Sequence, residues 1–346
     1  MKSYFYRDNN KIKKIQQNIT TILLSFYIIL ASTIIFNTLT EATNASAIEQ
    51  YPFVNKWGSH GDSNGQFEEP TGIAIDSANN VYVSDMDFEN CCNPLHHIVQ
   101  KFMNDGTFIT KWGGNGEFVN PMGIAIDSSA NVYVVDQVHQ RIAKFTSDGT
   151  FIKDWGSGFN PTDITIDSLD NVYVTEMYDS RIAKFSNDGT LIKRWDTAPI
   201  SRGIAVDSSD NIWVTSANNG NTNYLVQKFT PDGTLLTQWN STGNDGVNIP
   251  TYNGYGIAFD SEGKLFIADT FNNRIQKYEP DGTLITQWGI SGTGDGEFYN
   301  PHDLAIDSQD KIFVSDTHNH RVQVFVPNNP PVADDQEIQI KKNKAV

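Results

Sequence analysis

The chain has 346 residues, of which 38% are hydrophobic and 12% aromatic, so it can bury at least one large core and is not a disordered chain. Its formal net charge is −16. Residues 1–47 hold five basic and two acidic side chains, which leaves 20 basic against 39 acidic side chains in the remainder. Such an acidic surface repels phosphate backbones, which excludes nucleic acid as an expected partner and favours cations, cationic ligands or a basic protein.

The segment 1–47 predicts an export signal. Three lysines within 11–14 precede an uncharged stretch at 19–40, and Ala45, Ser46 and Ala47 have the small-residue spacing that signal peptidases cut. The uncharged stretch is also close to the roughly 20 residues that span a bilayer, so an uncleaved membrane anchor is the alternative. Either interpretation predicts a secreted or cell-surface domain.

Six copies of one unit fill the segment 48–326, which we predict to be a single domain. The sequence PTGIAIDSANNVYVSD recurs as PMGIAIDSSANVYVVD and PTDITIDSLDNVYVTE. Successive copies among the six are separated by 40 to 53 residues. This spacing is typical of propeller blades and of other repeat units. The copies begin at Pro70, Pro121, Pro161, Ser201, Tyr255 and Pro301.

The second half of each unit predicts a hairpin. Copies such as RIAKFTSDGTFIKDWG place Asp-Gly between two short β-rich runs, which is a strong hairpin signal. Each complete unit therefore contains four predicted strands. The first two are apolar on both faces, as expected of strands between neighbouring sheets, whereas the fourth mixes polar and apolar residues like an edge strand. The fold class that follows is all-β, a six-bladed propeller of four-stranded blades.

The ends of the repeat region predict how the ring closes. The sixth unit stops after its third strand, at 321–325, and a copy of the missing fourth strand stands at 51–58. We therefore expect the N-terminal strand to complete the last blade. The segment 327–346 begins with a proline-rich run and is interpreted as a linker or as the start of a truncated C-terminal module.

These motifs resemble the NHL-repeat family. The run GQFEEP at 65–70, followed by GIAID, VYVSD, a third strand of the RIAKF type and a Trp-Gly pair, is similar to that family's pattern, and the similarity extends over about 57–325. The resemblance implies a six-bladed propeller. It does not imply one activity, because the family includes sensor domains, protein-binding modules, RNA binders and a few enzymes.

One position of the repeat is a candidate ligand-binding ring. In a propeller the first strand of each blade lines the central channel, and the residue before its Gly or Asp lies where the chain enters from the top face. The residues at this position differ between blades although the scaffold beside them repeats, which favours recognition there. They are Thr71, Met122, Thr162, Arg202, Tyr255 and His302.

Three members of this ring lie on successive blades and are expected to form one polar cluster. Arg202 would pair with an anionic group of the ligand, Tyr255 would add a hydroxyl and an apolar face, and His302 could change charge near neutral pH. Asp303, beside His302, is expected to fix its tautomer. The alternative interpretation is that the ring only covers the mouth of the channel.

Two parts of the sequence contain candidate metal ligands. The amidating lyases with NHL-type repeats bind zinc through three histidines, two of them in Pro-His pairs that open first strands. Only Pro301-His302 matches here, so this zinc set is absent and no cofactor is expected. The remaining metal candidates near the channel are His302, His318 and His320. An insertion at 86–97 also contains Cys91, Cys92, His96 and His97, where a vicinal disulfide or an ordinary exposed loop are the alternatives to a metal site.

The repeated carboxylates predict structure rather than chemistry. Those that end the second strands are expected to accept hydrogen bonds from loop amides or from the arginine that opens the third strand. Those in the Asp-Ser pairs are expected to form turns between the first two strands.

Together these features predict a monomeric, extracytoplasmic recognition or scaffold propeller that binds a protein, peptide or glycan through its top face. The alternatives are a lyase or hydrolase at the channel mouth, with or without a metal, and a surface component attached to the membrane through 19–40.

Overall fold

A computed structural model describes residues 50–87, 96–114, 116–217, 224–241 and 256–328. In these residues 24 strands form six separate four-stranded antiparallel sheets, and each sheet corresponds to one unit of the repeat. The predicted six-bladed β-propeller is confirmed.

The strands follow the repeat in chain order, and the first strand of each blade is the innermost. Blade 1 contains β2 (Glu69–Ile75), β3 (Val81–Met86), β4 (Ile98–Phe102) and β5 (Phe108–Gly113), and blade 2 contains β6 (Pro121–Ile126), β7 (Val132–Asp136), β8 (Arg141–Phe145) and β9 (Phe151–Trp155). Blade 3 contains β10 (Pro161–Ile166), β11 (Val172–Glu176), β12 (Arg181–Phe185) and β13 (Leu191–Asp196), and blade 4 contains β14 (Ser201–Val206), β15 (Ile212–Ala217), β16 (Tyr224–Phe229) and β17 (Leu235–Asn240). Blade 5 contains β18 (Ile257–Phe259), β19 (Leu265–Asp269), β20 (Arg274–Tyr278) and β21 (Leu284–Trp288), and blade 6 contains β22 (Pro301–Ile306), β23 (Ile312–Asp316), β24 (Arg321–Phe325) and β1 (Phe53–Trp57). Two one-turn 3₁₀ helices, Thr270–Asn272 and Thr317–Asn319, follow the second strands of blades 5 and 6.

The burial of each strand follows its place in the blade. All five residues of β7, β11, β19 and β23 are buried, because these second strands pack between neighbouring sheets. The outer strands β9 and β13 are mostly exposed or half-buried, in agreement with their mixed composition.

The repeated carboxylates hold each blade together as expected. Asp127 accepts hydrogen bonds from the backbone N–H groups of Ser129 and Asn131, at 3.0 and 2.8 Å, and from the Tyr133 hydroxyl at 2.9 Å. The Lys144 ammonium lies 3.1 Å from the same carboxylate and 4.6 Å from the centre of the Tyr133 ring. The pairing offsets the cost of burying the lysine. At the end of the second strand Asp136 binds Arg141 at 2.9 Å, and Asp316 binds Arg321 at 2.7 Å.

Neighbouring blades are joined by a tryptophan that packs on a glycine. The glycine of each Asp-Gly turn has positive φ, and a Cβ on Gly149 would lie only 2.7 Å from the Trp112 indole of the preceding blade. A side chain is therefore disfavoured twice at this position, by the backbone conformation and by the indole. The same contact recurs at five junctions, formed by Trp57 and Gly106, Trp112 and Gly149, Trp155 and Gly189, Trp195 and Gly233, and Trp239 and Gly282.

The sixth junction is different because the N-terminal strand closes the ring there. β1 pairs antiparallel with β24, with Phe53 opposite Phe325, as the sequence predicts. Trp288 meets Tyr51 in place of a glycine, and the two rings stack with centroids 4.4 Å apart. The Lys277 ammonium donates a hydrogen bond to the Tyr51 hydroxyl at 2.9 Å.

Several sequence predictions lie outside the described residues. These are the export signal or anchor at 1–47, the segment from 329 to 346, and the loop residues Cys91 and Cys92. Within the part of the chain that is described, no helix has the length and apolar character needed to cross a membrane.

Candidate functional site

The central channel is narrowest at one layer of small and acidic residues. Gly72, Gly123, Gly203 and Gly256 come from four blades, and Asp163 and Asp303 occupy the same position in blades 3 and 6. Glycine is needed beside each aspartate because a Cβ on Gly123 would lie 2.7 Å from the Asp163 Cα, and one on Gly256 would lie 2.5 Å from the Asp303 Cα.

Both aspartates of this layer bind backbone amides. Asp163 accepts hydrogen bonds from the N–H of Ile164 at 2.8 Å and of Ile204 at 3.0 Å, and Asp303 accepts them from Leu304 at 2.8 Å and Ile73 at 3.0 Å. Each carboxylate thus joins its own blade to the next one. Asp303 therefore has a role between blades that the sequence did not predict.

Burial changes the proton affinity of these carboxyls. It raises the pKa of Asp163 to about 7. Burial, followed by the charge of Asp163, raises the pKa of Asp303 well above its usual range. Two carboxylates buried in the same channel resist ionising together. On one side of this layer lies a cavity of about 230 Å³, lined mainly by apolar residues of the first strands.

The predicted ligand ring is largely buried. The Thr71 hydroxyl is 3.0 Å from Ser84 Oγ and donates to the Pro121 carbonyl at 3.0 Å, and Met122 packs in the core between blades. Arg202 is only 1% exposed and lines the narrow part of the channel together with Thr162 and His302. A guanidinium in that position is not open to a large ligand. The ring member Tyr255 lies outside the described residues.

An open concavity lies beside the ring, where blades 1, 5 and 6 meet. We call it the top-face cavity. It has a volume of about 180 Å³. Its lining residues lie at or just before the starts of first strands and at or just beyond the ends of second strands. They are Glu69, Met86, Thr270, Asn300, His302, Thr317 and His318.

The polar groups of the top-face cavity are held by specific contacts. The Asn300 amide nitrogen lies 3.2 Å from His318 Nδ1. His318 Nε2 lies 3.7 Å from the Glu69 carboxylate. The backbone N–H of Glu69 donates to Asp85 at 2.9 Å, and the Thr317 hydroxyl donates to the Pro70 carbonyl at 2.7 Å. The cavity is therefore preformed.

His302 connects the top-face cavity with the channel. Burial, and then the charges of Arg202 and His318, lower the pKa of His302 to about 4. The imidazole is therefore neutral at physiological pH. It can donate or accept a hydrogen bond, but it is a weak base for proton transfer.

The three histidines that were metal candidates separate in the structure. His318 joins His302 in the top-face cavity, whereas Nδ1 of His320 contacts the Glu68 carbonyl and its ring lies 4.6 Å from that of His60. Among the described residues, His302, His318 and His320 do not bring three ligand atoms together.

Sequence reasoning missed Glu69 and Asn300. Both directly precede the proline of a first strand, two positions before the predicted ligand-binding ring. That earlier position also varies, from Glu69 through Asn120 to Ile200, and its variation was the available signal.

Comparison with known proteins matches one segment of the chain to a repeat family. Residues 298–325 match the family model of the NHL repeat, and the six sheets are arranged as the resemblance implied. The protein is a six-bladed β-propeller, and its residues 298–325 match one NHL repeat. A comparison with curated protein sequences finds no match.

Solved structures resemble this propeller in fold. A virginiamycin B lyase from Staphylococcus aureus is 16% identical with a TM-score of 0.54, and the match covers 80% of this chain and 99% of that one. A gluconolactonase from Xanthomonas campestris is 13% identical with a TM-score of 0.56, covering 81% and 99%. A Bacteroides thetaiotaomicron protein of unknown function is 15% identical with a TM-score of 0.61, covering 81% and 76%. At these identities the likeness shows the fold alone.

Proposed function

We propose that this propeller is a recognition protein whose top face binds a protein, peptide or glycan, and that the preferred occupant of the top-face cavity is a basic side chain of a partner protein. The observation that carries the proposal is the preformed concavity around Glu69 and His318. Its lining comes from three blades, and it lies at the edge of the position where the repeat varies.

The chemistry of the cavity suits an ammonium or guanidinium group. The Glu69 carboxylate, the Asn300 amide and the hydroxyls of Thr270 and Thr317 all offer acceptor oxygens, which cationic donors need. Met86 offers an apolar contact for the alkyl stem of a long basic side chain. The acidic charge of the chain attracts the same class of partner and repels nucleic acid.

Catalysis at the channel mouth is less well supported. A lyase or hydrolase would need a base, and the pKa of His302, lowered to about 4 by burial and then by Arg202 and His318, makes it a poor one. Arg202, at 1% exposure, is poorly placed to bind a substrate. Binding is therefore the function that these residues support best.

The test uses hexapeptides that differ only in a central Lys, Arg, Gln or Glu, together with a set of neutral oligosaccharides. We expect Lys and Arg peptides to bind, with dissociation constants measured by fluorescence anisotropy. Glu69→Gln should weaken binding at least tenfold, about 1.4 kcal/mol, because a charged acceptor is lost. The matched control is Glu262→Gln, an exposed glutamate in the turn between β18 and β19, which should leave binding unchanged.

Two results would contradict the proposal. Equal binding of Lys and Glu peptides would remove the basic side chain as the occupant. Equal effects of Glu69→Gln and Glu262→Gln would place the binding surface away from the cavity.

A further inference from the structure

A second polar cluster lies where blade 1 adjoins the closing strand. The connection between β1 and β2 supplies Asp62 and Glu68, and His96 stands two residues before β4. One ligand atom from each of these three side chains lies within 4.8 Å of the other two. The three residues come from two segments that are distant in sequence, so their convergence is a product of the fold.

The imidazole of His96 faces two carboxylates without a hydrogen bond to either. Its Nδ1 is 2.7 Å from the Asp62 carboxylate and 3.5 Å from the Glu68 carboxylate. The same nitrogen is shielded from solvent and makes no hydrogen bond of acceptable geometry within the described residues. A buried nitrogen that is close to two carboxylates but hydrogen-bonded to neither has an unmet polar requirement, and a cation held by all three side chains would satisfy it.

Contacts outside the cluster hold Glu68 in place. His60 Nε2 lies 3.0 Å from the other Glu68 carboxylate oxygen. The Glu68 carbonyl contacts His320, and its backbone N–H donates to Asp85 at 3.2 Å. A histidine on the far oxygen of a carboxylate is a common outer contact of metal-ligating carboxylates, because it fixes which oxygen faces the ion.

We propose that Asp62, Glu68 and His96 form a binding site for a divalent transition-metal cation, with zinc as the expected ion. One imidazole nitrogen and two carboxylate oxygens are a ligand set that zinc accepts, whereas calcium and magnesium prefer oxygen alone. The cation would neutralise two carboxylates that lie close together in an already acidic protein. Asp62 is exposed, so a fourth position remains for water or for a group from a partner.

The site adjoins the top-face cavity through the chain, because Glu68 directly precedes Glu69. A bound ion would fix the connection between β1 and β2 against the start of β4.

The test is a titration of chelator-treated full-length protein with zinc chloride, followed by calorimetry. We expect one ion per chain, and His96→Ala, Asp62→Asn and Glu68→Gln should each weaken binding at least tenfold. Zinc should also raise the thermal midpoint of the wild type and not that of these variants, with circular dichroism confirming that each variant is folded. The matched control is His139→Ala, since His139 also lies 2.8 Å from a carboxylate, that of Asp136, but is outside the cluster.

A cobalt titration separates this site from the two cysteines of the insertion. Cobalt bound as proposed lacks the thiolate charge-transfer absorption, and the Cys91→Ser/Cys92→Ser double variant should bind zinc like the wild type. The proposal is overturned if the wild type binds no zinc, if the double cysteine variant loses binding while His96→Ala keeps it, or if His139→Ala weakens binding as much as His96→Ala.

Discussion

Replacing Tyr51 with alanine should weaken the whole propeller, because this side chain takes the place of a glycine at the junction that closes the ring. Tyr51 is 7% exposed, stacks on Trp288 and meets Phe266 edge-on at 5.6 Å. Removing a buried aromatic side chain costs about 3–5 kcal/mol. Tyr51→Phe keeps the rings and removes the hydroxyl that accepts the hydrogen bond from Lys277, and this bond is worth about 1.5–3 kcal/mol because the donor is charged.

Urea unfolding, followed by tryptophan fluorescence and circular dichroism, measures both variants. We expect the free energy of unfolding to fall in the order wild type, Tyr51→Phe, Tyr51→Ala, with similar denaturant slopes. The matched control is Tyr178→Ala. Tyr178 is 59% exposed, so its loss should change stability by no more than about 0.5 kcal/mol. If Tyr51→Ala loses less than about 1 kcal/mol, the closing junction does not depend on this stack.

Two further predictions concern the blade junctions and the channel. Gly149→Ala should destabilise the protein by more than Gly116→Ala. Both glycines have positive φ, but only a Cβ on Gly149 would contact an indole. Equal losses in thermal midpoint would show that backbone strain alone explains why glycine is needed at position 149. Burial raises the pKa of Asp163 to about 7 from its usual 3.8. Between these two pH values the folded protein holds a proton that the unfolded chain has lost. The contribution of this carboxyl to the free energy of unfolding is therefore lost as the pH rises from about 4 to 7. The Asp163→Asn variant lacks this titrating group, so its free energy of unfolding minus that of the wild type should increase as the pH rises over this range. A difference between the two proteins that stays constant with pH would contradict the prediction.

The fold could be predicted from the sequence because its determinants repeat. A strand pattern, an Asp-Gly turn and a tryptophan that recur in every complete unit leave little freedom in topology, and the fourth strand missing from unit six locates the closing strand. The stack of Tyr51 on Trp288 was not predicted, because Tyr51 has no counterpart in the other units and only the ring geometry brings it there.

The site could be predicted only in part. His302 and His318 do share a cavity, but the rest of its lining comes from neighbouring blades, and no pattern along a single unit shows which residues meet across a junction. Arg202 illustrates the limit most clearly. Variation at its position suggested a surface for recognition, but the side chain is buried in the channel, and variation alone does not distinguish a contact with ligand from a contact within the ring.

The antiparallel pairing of β1 with β24 has a mechanical consequence. Gln50 bridges Asn328, so the two ends of the propeller leave it side by side. A force that pulls residues 50 and 328 apart therefore breaks the residue pairs between β1 and β24 one after another, starting with the outermost pair, instead of shearing them all together. Under this force β1 would separate from β24 and open the ring, while blades 1 to 5 kept their own four-stranded sheets.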